Sequence, residues 1–285
     1  MPERPELDYV QRALDPALRG LRIEAVVVSD PVVLRVAVPG DPRALLAGRA
    51  IAGVSRRGHF LVFGLDGAPP LELAVHAMLA GRFTLDRPGA GHTGHTKLTL
   101  SLSDGRELRY RDSKQMGKVY LLDPAQRASV PQLGAVGIDV LSAAFTPAAF
   151  AALAKKRRDQ VKLFLMDKSA LDAMGNAYAD EALHRGGVHP KARVRELSAD
   201  QLERLRRGIV AVLSEAAAEV ERRQPPIDEK VRDFLAVRNR KGEPCPACGD
   251  TVRVVGVRGH DAFFCPTCQP DAKGRGFIDW RKAKR

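Results

Sequence analysis

The sequence lacks several features, and each absence removes a class of protein from consideration. It has no apolar run long enough to cross a membrane as a helix, which takes about 18 residues. Its first residues lack the basic and apolar blocks of a secretory signal, and the chain has no internal repeat or low-complexity tract. We therefore expect a cytoplasmic globular protein with no membrane partner.

Cysteine is scarce and confined to one segment. The chain of 285 residues has 4 cysteines, which are Cys245, Cys248, Cys265 and Cys268. This clustering argues against a disulfide framework spread over the fold. Apolar residues make up 45% of the chain, which is enough for a packed core. The length suits one large domain or roughly two to three smaller ones.

Acidic residues are fewer than basic ones, and the formal net charge is +12. Such a balance suits a polyanionic partner, because each lysine or arginine that meets a phosphate releases a counterion. Charge alone does not distinguish a nucleic-acid-binding protein from a basic protein with no specific partner. The case for nucleic acid therefore depends on motifs.

Short β-branched or alternating segments fill residues 20 to 122 and are separated by Gly, Pro and Asp. They include RIEAVVVSD, VVLRVAV, HFLVFGL, TKLTLSLSD and KVYLLD, and the pair Asp104-Gly105 is typical of a hairpin turn. This pattern predicts an antiparallel β-sandwich or barrel, preceded by one helix near residues 3–19.

After residue 146 the apolar period changes to that of helices. Thr146 is a suitable N-cap, because Pro147 follows it at the first helical position. Helical periodicity predicts helices at residues 147–156, 159–166, 177–185, 199–223 and 228–237. The stretch QPPIDEK, between the last two, has the composition of a linker.

The four cysteines form two Cys-x-x-Cys pairs on either side of residues 249–264. This spacing fits one tetrahedral zinc ion held by four thiolates. Its role would be structural, because four protein ligands leave no open position for a substrate. The intervening residues alternate like a β-hairpin. Two redox pairs, or loosely placed thiols, are the alternative.

Gly175 and Asn176 lie between two predicted helical segments, in LMDKSALDAMGNAYADEALHRGGVHP. Backbone amides at the start of a helix, together with the Asn176 amide, can bind a phosphate. The alternative is an ordinary helix–helix turn with asparagine in the left-handed conformation.

Three stretches together resemble the formamidopyrimidine-DNA glycosylase and endonuclease VIII family of base-excision repair enzymes: MPERPE, the segment around Asn176, and the cysteine segment introduced by RKGEPC. The resemblance covers almost the whole chain. It implies an α+β fold with an N-terminal antiparallel β-sandwich, a helix–two-turns–helix region and a C-terminal four-cysteine zinc-finger β-hairpin. The implied domains are residues 1–125, 140–226 and 227–285.

The family's nucleophile is an N-terminal proline exposed by removal of the initiator methionine, which implies Pro2 here. An α-amino group has an ordinary pKa of about 7.7–8.0, so it is partly unprotonated near neutral pH and can attack C1′ of a deoxyribose. The resemblance further implies that Glu3 is a general acid and that Glu6 orients water. The alternative is that these residues only begin a helix, and both roles are compatible.

The resemblance also implies a set of DNA contacts. Lys162 and Asn176 match phosphate contacts around the flipped nucleotide. Leu79, in HAMLAG, matches an apolar wedge that fills the space of a flipped base, and Lys114 and Met116, in DSKQMG, match a second loop. The alternative for Leu79 and Met116 is a place in the apolar core.

The sequence departs from the family pattern at two phosphate-binding positions. His59, in RRGHF, stands where the family has a lysine important for catalysis, and His260 stands where it has a phosphate-clamping arginine. Arg258 lies two residues earlier and would point the same way along a strand. A histidine with the ordinary pKa of about 6.5 is mostly neutral at neutral pH, so each change removes a cation. Met116 replaces an aromatic residue.

We therefore expect a monomeric DNA glycosylase with abasic-site lyase activity and one structural zinc ion, acting on double-stranded DNA that contains damaged bases or abasic sites. The first alternative is a family member that binds damaged or branched DNA without cutting, which His59 and His260 favour. The second is a zinc-stabilised protein that binds RNA or partners through its charge. Richness in Ala, Arg and Gly indicates a GC-rich bacterial source. We expect the protein to lie in the bacterial cytoplasm and to associate with the nucleoid.

Overall fold

The computed structural model describes residues 1–87, 89–91, 94–172 and 174–271. None of the helices described there is long and apolar enough to span a membrane. The chain forms two compact units. The first consists of Met1–Val136 and Glu219–Val231, and the second of Gly137–Ala218 and the chain from Arg232 onward.

Helix α1 (Arg4–Leu18) begins the first unit and confirms the helix predicted near residues 3–19. Its buried face carries Leu7, Leu14 and Leu18, which lie in the core of the unit. Their spacing of seven and four residues places all three side chains on one side of the helix. The apolar period of α1 therefore determines which face packs inward.

Strands make up most of the first unit. They are β1 (Ile23–Val28), β2 (Leu34–Val36), β3 (Ile51–Arg57), β4 (Phe60–Leu65), β5 (Leu71–His76), β6 (Arg82–Asp86), β7 (Thr96–Leu102), β8 (Glu107–Arg111) and β9 (Lys118–Leu122). A short helix, α2 (Pro42–Leu46), connects β2 and β3. One sheet has four strands in the order β1-β7-β8-β6, and the other has five in the order β2-β9-β5-β4-β3.

The two sheets enclose one apolar core. Side chains from β4, β5 and β9 meet those from β7 and β8 there, and α1 adds its buried face. Described strand pairs are antiparallel, apart from β2 and β9, which are parallel. The predicted antiparallel β-sandwich is confirmed, and the parallel pair is an addition that the sequence pattern did not indicate.

Strand β5 is buried along its whole length. Leu73 and its neighbours on one face lie in the core between the sheets, and Ala74 packs on the other face in a smaller cluster with Val130. Glu72 is buried and accepts a hydrogen bond from Arg127 Nε at 2.7 Å, which pairs its charge. Strand β5 is therefore fixed on both faces up to its last residue.

Residues 219–231 come from late in the chain but belong to the first unit. Arg12 on α1 forms an ion pair with Glu221 at 2.8 Å, and the Tyr9 hydroxyl donates to the Pro225 carbonyl at 2.7 Å. The first unit is therefore assembled from two separate stretches of sequence.

Helices make up most of the second unit. They are α3 (Pro147–Lys155), α4 (Val161–Met166), α5 (Asn176–Arg185) and α6 (Ala199–Arg223), whose last residues belong to the first unit. All four confirm predicted helices to within a few residues. The Thr146 side chain caps α3 as predicted, since its Oγ1 accepts the Ala149 N–H at 3.1 Å. The apolar faces of these helices form one core around Phe164.

The helix predicted near residues 228–237 is wrong, because this stretch consists of turns, bends and irregular backbone. The N–H groups of Ala236, Val237 and Arg238 donate to the Glu181 carboxylate at 2.7, 2.9 and 2.8 Å. A carboxylate distant in sequence therefore satisfies the amides that a helix would have used. The apolar periodicity of this segment does not indicate that a distant carboxylate binds its amides.

The segment between the cysteine pairs is an antiparallel hairpin of β10 (Arg253–Val257) and β11 (His260–Phe264), as predicted. Arg258 and Gly259 form its two-residue turn, with φ of 42° and 82°. Positive φ at both central positions matches the twist of hairpin strands.

Candidate functional site

The amino terminus carries the predicted catalytic residues Pro2, Glu3 and Glu6. Glu3 is the extended N-cap residue of α1, and its backbone N–H donates to Glu6 Oε2 at 2.8 Å. Acidic side chains suit this position, because the start of a helix carries partial positive charge. Both carboxylates are buried, at 2% and 5% exposure. The helix start therefore lies directly after Pro2 and includes both acidic residues.

Pro2 borders a small apolar cavity of about 20 Å³ in the first unit. Its walls include Leu7 and Val10 from α1 and Phe83 from β6. A volume of this size holds about one water molecule and cannot accept a nucleobase. Pro2 therefore lines a small apolar cavity that is not a pocket for a base.

His59 lies in the turn between β3 and β4 and is only 2% exposed. Its ring stacks on His76, the last residue of β5, with centroids 6.0 Å apart and planes at 14°. His76 Nδ1 accepts the N–H of Met78 at 3.1 Å, which links the histidine pair to the loop after β5. The predicted catalytic role of His59 stays a prediction. His76 is a neighbour that the sequence analysis did not single out.

The two arginines of the RRGH turn are engaged within the first unit. Arg56 Nε lies 2.5 Å from Asp8 Oδ1 on α1. Arg57 donates to the carbonyls of Leu133 and Gly134 at 2.6 and 2.8 Å. These contacts fix the turn between β3 and β4 to helix α1 on one side and to the chain after β9 on the other.

Leu79 and Met116 are exposed, at 54% and 43%. The alternative that these two side chains pack in the core is therefore wrong. Leu79 lies in the wedge loop, which we define as residues 77–81, and Met116 lies in the second loop, residues 112–117. Lys114 is also exposed in the second loop. Their exposure is compatible with entry into a DNA duplex, which stays a prediction.

One buried tyrosine supports both loops. A Cβ atom at Gly81 would lie 2.3 Å from Tyr110 Oη, and one at Gly117 would lie 1.8 Å from it, so each loop needs glycine there. Asp112 is also buried and accepts the N–H groups of Lys114 and Gly117 at 3.0 and 2.7 Å. Burial raises the pKa of Tyr110, with a smaller effect of Asp112 in the same direction, so the hydroxyl keeps its proton. The sequence analysis missed both residues, and the loop glycines were the available signal.

Asn176 is the first residue of α5, and Gly175 precedes it as the N-cap with φ of −137°. The alternative of a left-handed asparagine is therefore wrong, because Asn176 is helical. Gly175 has no side chain to cap the first amides of the helix. The buried Asn176 Oδ1 has no hydrogen-bond partner among the residues that the structure describes. A helix start of this kind can bind an anion.

Lys162 on α4 is fully buried. Its Nζ lies 2.6 Å from Asp180 Oδ1 and donates to the Asp261 carbonyl at 2.5 Å, and Arg238 Nη1 lies 2.8 Å from Asp180 Oδ2. Burial raises the pKa of the Asp180 carboxyl, whereas the two cations act in the opposite direction. We call Lys162, Asp180 and Arg238 the ion network. A phosphate contact of Lys162 stays a prediction and would require an exchange of these partners.

Arg258 and His260 are exposed at the tip of the β10–β11 hairpin. The prediction that they point the same way along one strand is wrong, because Arg258 occupies the turn and His260 begins β11. Both remain predicted DNA contacts. The basic tail after residue 271 lies outside the described residues.

The four cysteines form one cluster, in which all Sγ atoms lie within 4.8 Å of one another. None of them forms a disulfide. Sγ atoms of different Cys-x-x-Cys pairs lie 3.9 Å apart for Cys245 and Cys268 and 3.4 Å apart for Cys248 and Cys265. Zn–S distances of about 2.3 Å in a tetrahedron place sulfur atoms about 3.8 Å apart. The cluster therefore fits a structural zinc site, and two separate redox pairs do not fit it.

Three family models match the chain. The formamidopyrimidine-DNA glycosylase N-terminal domain matches residues 1–119, the formamidopyrimidine-DNA glycosylase H2TH domain matches residues 136–224, and the zinc finger found in FPG and IleRS matches residues 242–270. The first match contains β1 to β8 and the start of β9, the second contains α3 to α6, and the third contains the four cysteines.

Relatives of similar length match as well. The chain is 34% identical over 280 residues to the formamidopyrimidine-DNA glycosylase of Chloroflexus aurantiacus, with 94% of this chain and 98% of the relative covered. It is 35% identical over 283 residues to that of Symbiobacterium thermophilum, with 96% and 91% covered. The likeness therefore extends over almost the whole length of both proteins.

Solved structures of proteins called Fpg are also similar to this chain over almost its whole length. The MutM (Fpg) protein of Thermus thermophilus is 35% identical with a TM-score of 0.82, and the match covers 94% of this chain and 98% of that one. A complex between Lactococcus lactis Fpg and DNA that contains an abasic site is 25% identical with a TM-score of 0.85, covering 95% and 100%.

Proposed function

Because this chain belongs to the formamidopyrimidine-DNA glycosylase family, we propose that its first residues carry out the chemistry. The resemblance expected from the sequence is thus confirmed. The protein is a base-excision repair DNA glycosylase with abasic-site lyase activity, and its partner is DNA that contains damaged bases or abasic sites. Its four clustered cysteines hold a structural zinc ion, which contributes folding energy to a segment with little apolar core.

Pro2 is the proposed nucleophile. Removal of Met1 leaves its nitrogen as a secondary amine, which forms a bond to C1′ of the deoxyribose. The bond from C1′ to the damaged base breaks, and the base leaves with the bonding electron pair. Glu3 donates a proton to the sugar ring oxygen or to the leaving base, and the other of these two groups receives the proton that the Pro2 amine loses. The bond from C1′ to the ring oxygen then breaks, so the ring opens to an iminium ion. Loss of a C2′ proton then breaks the C3′–O bond, and water hydrolyses the iminium ion to release Pro2.

The capping arrangement of Glu3 and Glu6 is the observation that carries this proposal. A hydrogen bond of 2.8 Å from Glu3 N to Glu6 Oε2 fixes the backbone that follows Pro2. Pro2 also borders the small apolar cavity that Leu7 and Phe83 line. A nucleophile next to a fixed stretch of backbone loses less conformational freedom during attack, which favours reaction.

The remaining predicted site residues are proposed to contact DNA. Asn176 and the first amides of α5 are proposed to bind a phosphate. Leu79 and Met116 are proposed to enter the duplex from exposed loops, with Lys114 beside them, and Arg258 and His260 are proposed to meet the backbone. For Lys162 we keep a phosphate contact as a proposal that competes with its place in the ion network.

Covalent trapping with an N-terminal tag tests the role of Pro2. Borohydride reduces an iminium ion to a stable amine, so abasic-site DNA becomes linked to the enzyme. We expect trapping after a protease has removed the tag and exposed Pro2, and none while the tag blocks its nitrogen. The same protein serves as its own control. Equal trapping in both forms would assign the nucleophile to another amine, such as the exposed Lys114.

Binding without incision is the second candidate function. It is favoured by His59, which stands where a lysine is expected and is buried in the free protein. This candidate predicts specific binding to abasic-site DNA with no trapped complex after tag removal. The trapping experiment therefore separates the two functions.

Three further expectations remain proposals. The chain is proposed to act as a monomer in the bacterial cytoplasm, associated with the nucleoid. Its three domains are proposed to be residues 1–125, 140–226 and 227–285. Limited proteolysis tests the division, because cleavage is expected first in residues 126–139 and near residue 226, where one proposed range gives way to the next.

A further inference from the structure

Helix α5 ends beside the cysteine cluster, and one of its side chains reaches a cysteine sulfur. His184, in the last turn of α5, has its Nε2 atom 3.3 Å from Cys245 Sγ. Cys245 is 2% exposed, so solvent has little access to this contact. Nothing in the spacing of the cysteines indicates a histidine neighbour.

Further contacts join the end of α5 to the cluster. Gln269 accepts the Cys265 N–H at 3.0 Å through its Oε1 and donates to the Val188 carbonyl at 2.9 Å through its Nε2. At Gly187 a Cβ atom would lie 3.4 Å from the Cys268 carbonyl oxygen, so the backbone approaches closely there. The residues that follow α5 therefore pack directly on the cluster, and the contact of His184 is part of a wider interface within the second unit.

A hydrogen-bond donor beside the cluster would stabilise the negative charge of zinc-bound thiolates. Four thiolates around one divalent zinc ion carry a net charge of about −2, which is costly in a buried place. An N–H group that donates to sulfur spreads this charge and holds the sulfur in position, as outer hydrogen bonds do for other metal ligands. A neutral imidazole has one such N–H group, and the contact with sulfur selects the tautomer that carries it on Nε2.

We propose that the Nε2–H group of His184 donates a hydrogen bond to the Cys245 thiolate of the zinc site and that this bond raises the affinity of the site for zinc. His184 is a positioning residue in this account and not a ligand. Among the described residues, the set of possible ligand atoms within 4.8 Å of one another contains the four cysteines and no histidine. The proposal concerns metal retention and does not depend on the proposed catalytic roles.

Zinc affinity of the full chain is the test. Purified protein is titrated against a chromogenic zinc chelator at fixed pH, because metal binding releases protons. We expect His184→Phe, which keeps an aromatic ring but no donor, to bind zinc about tenfold more weakly than the parent. His184→Gln, which keeps an N–H donor at a similar distance, is expected to stay close to the parent.

Arg185→Gln is the matched control. Arg185 is the next residue of the same helical turn, but it pairs with Glu215 and does not touch the cluster. Its replacement should leave zinc affinity unchanged. Equal affinity of the parent and His184→Phe would overturn the proposal, as would a loss of the same size in Arg185→Gln.

A second variant and a spectroscopic measurement complete the test. If His184→Phe does not fold, His184→Leu replaces it, and the comparison with His184→Gln decides: equal zinc affinity of these two variants overturns the proposal. Cobalt substitution reports the ligand set through its absorption spectrum. We expect a four-sulfur spectrum in both the parent and the donor-free variant. A spectrum with a nitrogen ligand that disappears in His184→Phe would make His184 a ligand and contradict the proposal.

Discussion

Two sets of candidate DNA contacts, one in each unit, lie in opposite environments. In the first unit Leu79, Lys114 and Met116 are exposed on loops whose bases are fixed by the buried Tyr110. In the second unit Lys162 is fully buried and forms an ion network with Asp180 and Arg238. Residue type alone does not distinguish a contact with a ligand from an internal support. The side chains in the first unit are exposed to solvent, whereas Lys162 is buried and paired with internal partners.

The ion network should show the largest effect on stability. Asp180→Ala leaves two cations facing each other in a buried place, which should cost about 3–5 kcal/mol in the free energy of unfolding. Urea unfolding with zinc present measures this. The control is Glu215→Ala, which breaks the exposed pair with Arg185 and should cost about 0–1 kcal/mol. Equal losses in both variants would show that the network contributes no more than a surface pair.

An apolar replacement then separates the two roles of Lys162. Lys162→Met combined with Asp180→Leu should recover a large part of the stability lost in Asp180→Ala, because no unpaired lysine remains. DNA affinity is measured on this double variant. A uniform loss for all DNA sequences would support the proposed phosphate contact of Lys162. Unchanged affinity would leave Lys162 with an internal role alone.

The glycine in the second loop should show the next largest effect. Gly117→Ala places a Cβ atom 1.8 Å from Tyr110 Oη, and overpacking of this kind costs about 1–3 kcal/mol. Combination with Tyr110→Phe removes the oxygen and should recover part of the loss. Gly256→Ala is the control, because a Cβ there meets nothing within 4 Å. If Gly117→Ala unfolds like Gly256→Ala, Tyr110 does not support the second loop.

Leu79 should affect activity without affecting stability. Since its side chain is 54% exposed, Leu79→Ala should change the free energy of unfolding by no more than about 0.5 kcal/mol. Excision of a damaged base should fall by about tenfold, because the space of the flipped base is no longer filled. Val32→Ala, with 70% exposure and a place outside both loops, should change neither quantity. Unchanged excision by Leu79→Ala would remove Leu79 from the proposed interface.

His59 should show the smallest effect, in the pH dependence of binding. A phosphate favours the protonated imidazole, so a phosphate contact of His59 predicts that affinity falls as pH rises. His59→Lys should flatten this dependence, because lysine stays charged. Affinity for an abasic-site analogue is measured rather than turnover, since protonation of Pro2 opposes the trend in rate. Equal pH dependence in both proteins would mean that His59 only packs in the hairpin.

Sequence patterns correctly predicted the features that depend on interactions between residues close together in the chain. The zinc site follows from the spacing of the cysteines, and α3 follows from Thr146 and Pro147 together with apolar periodicity. The start of α1 follows from Pro5 and the acidic residues beside it. In each case the residues that form the feature are neighbours in the chain.

The remaining features depend on partners that are distant in sequence. Turns replaced the predicted helix near residues 228–237, because Glu181 binds its amides. Lys162 is buried because Asp180 lies opposite it, and the support of both loops by Tyr110 depends on strand packing. No pattern within a short window contains these pairings, so the sequence analysis could name the side chains but not their environments.

The first unit is built from two separate stretches of the chain, and this limits where the gene can be divided into fragments that fold. A fragment that encodes Met1–Val136 lacks Glu221 and Pro225, which bind side chains of α1. A fragment that encodes the remainder contains Glu219–Val231 without the sheets around which this stretch packs. Recombination at a single crossover between residues 137 and 218 would therefore separate residues that belong to one core. Inheritance of the two units together is a consequence of the chain path, whatever reaction the protein performs.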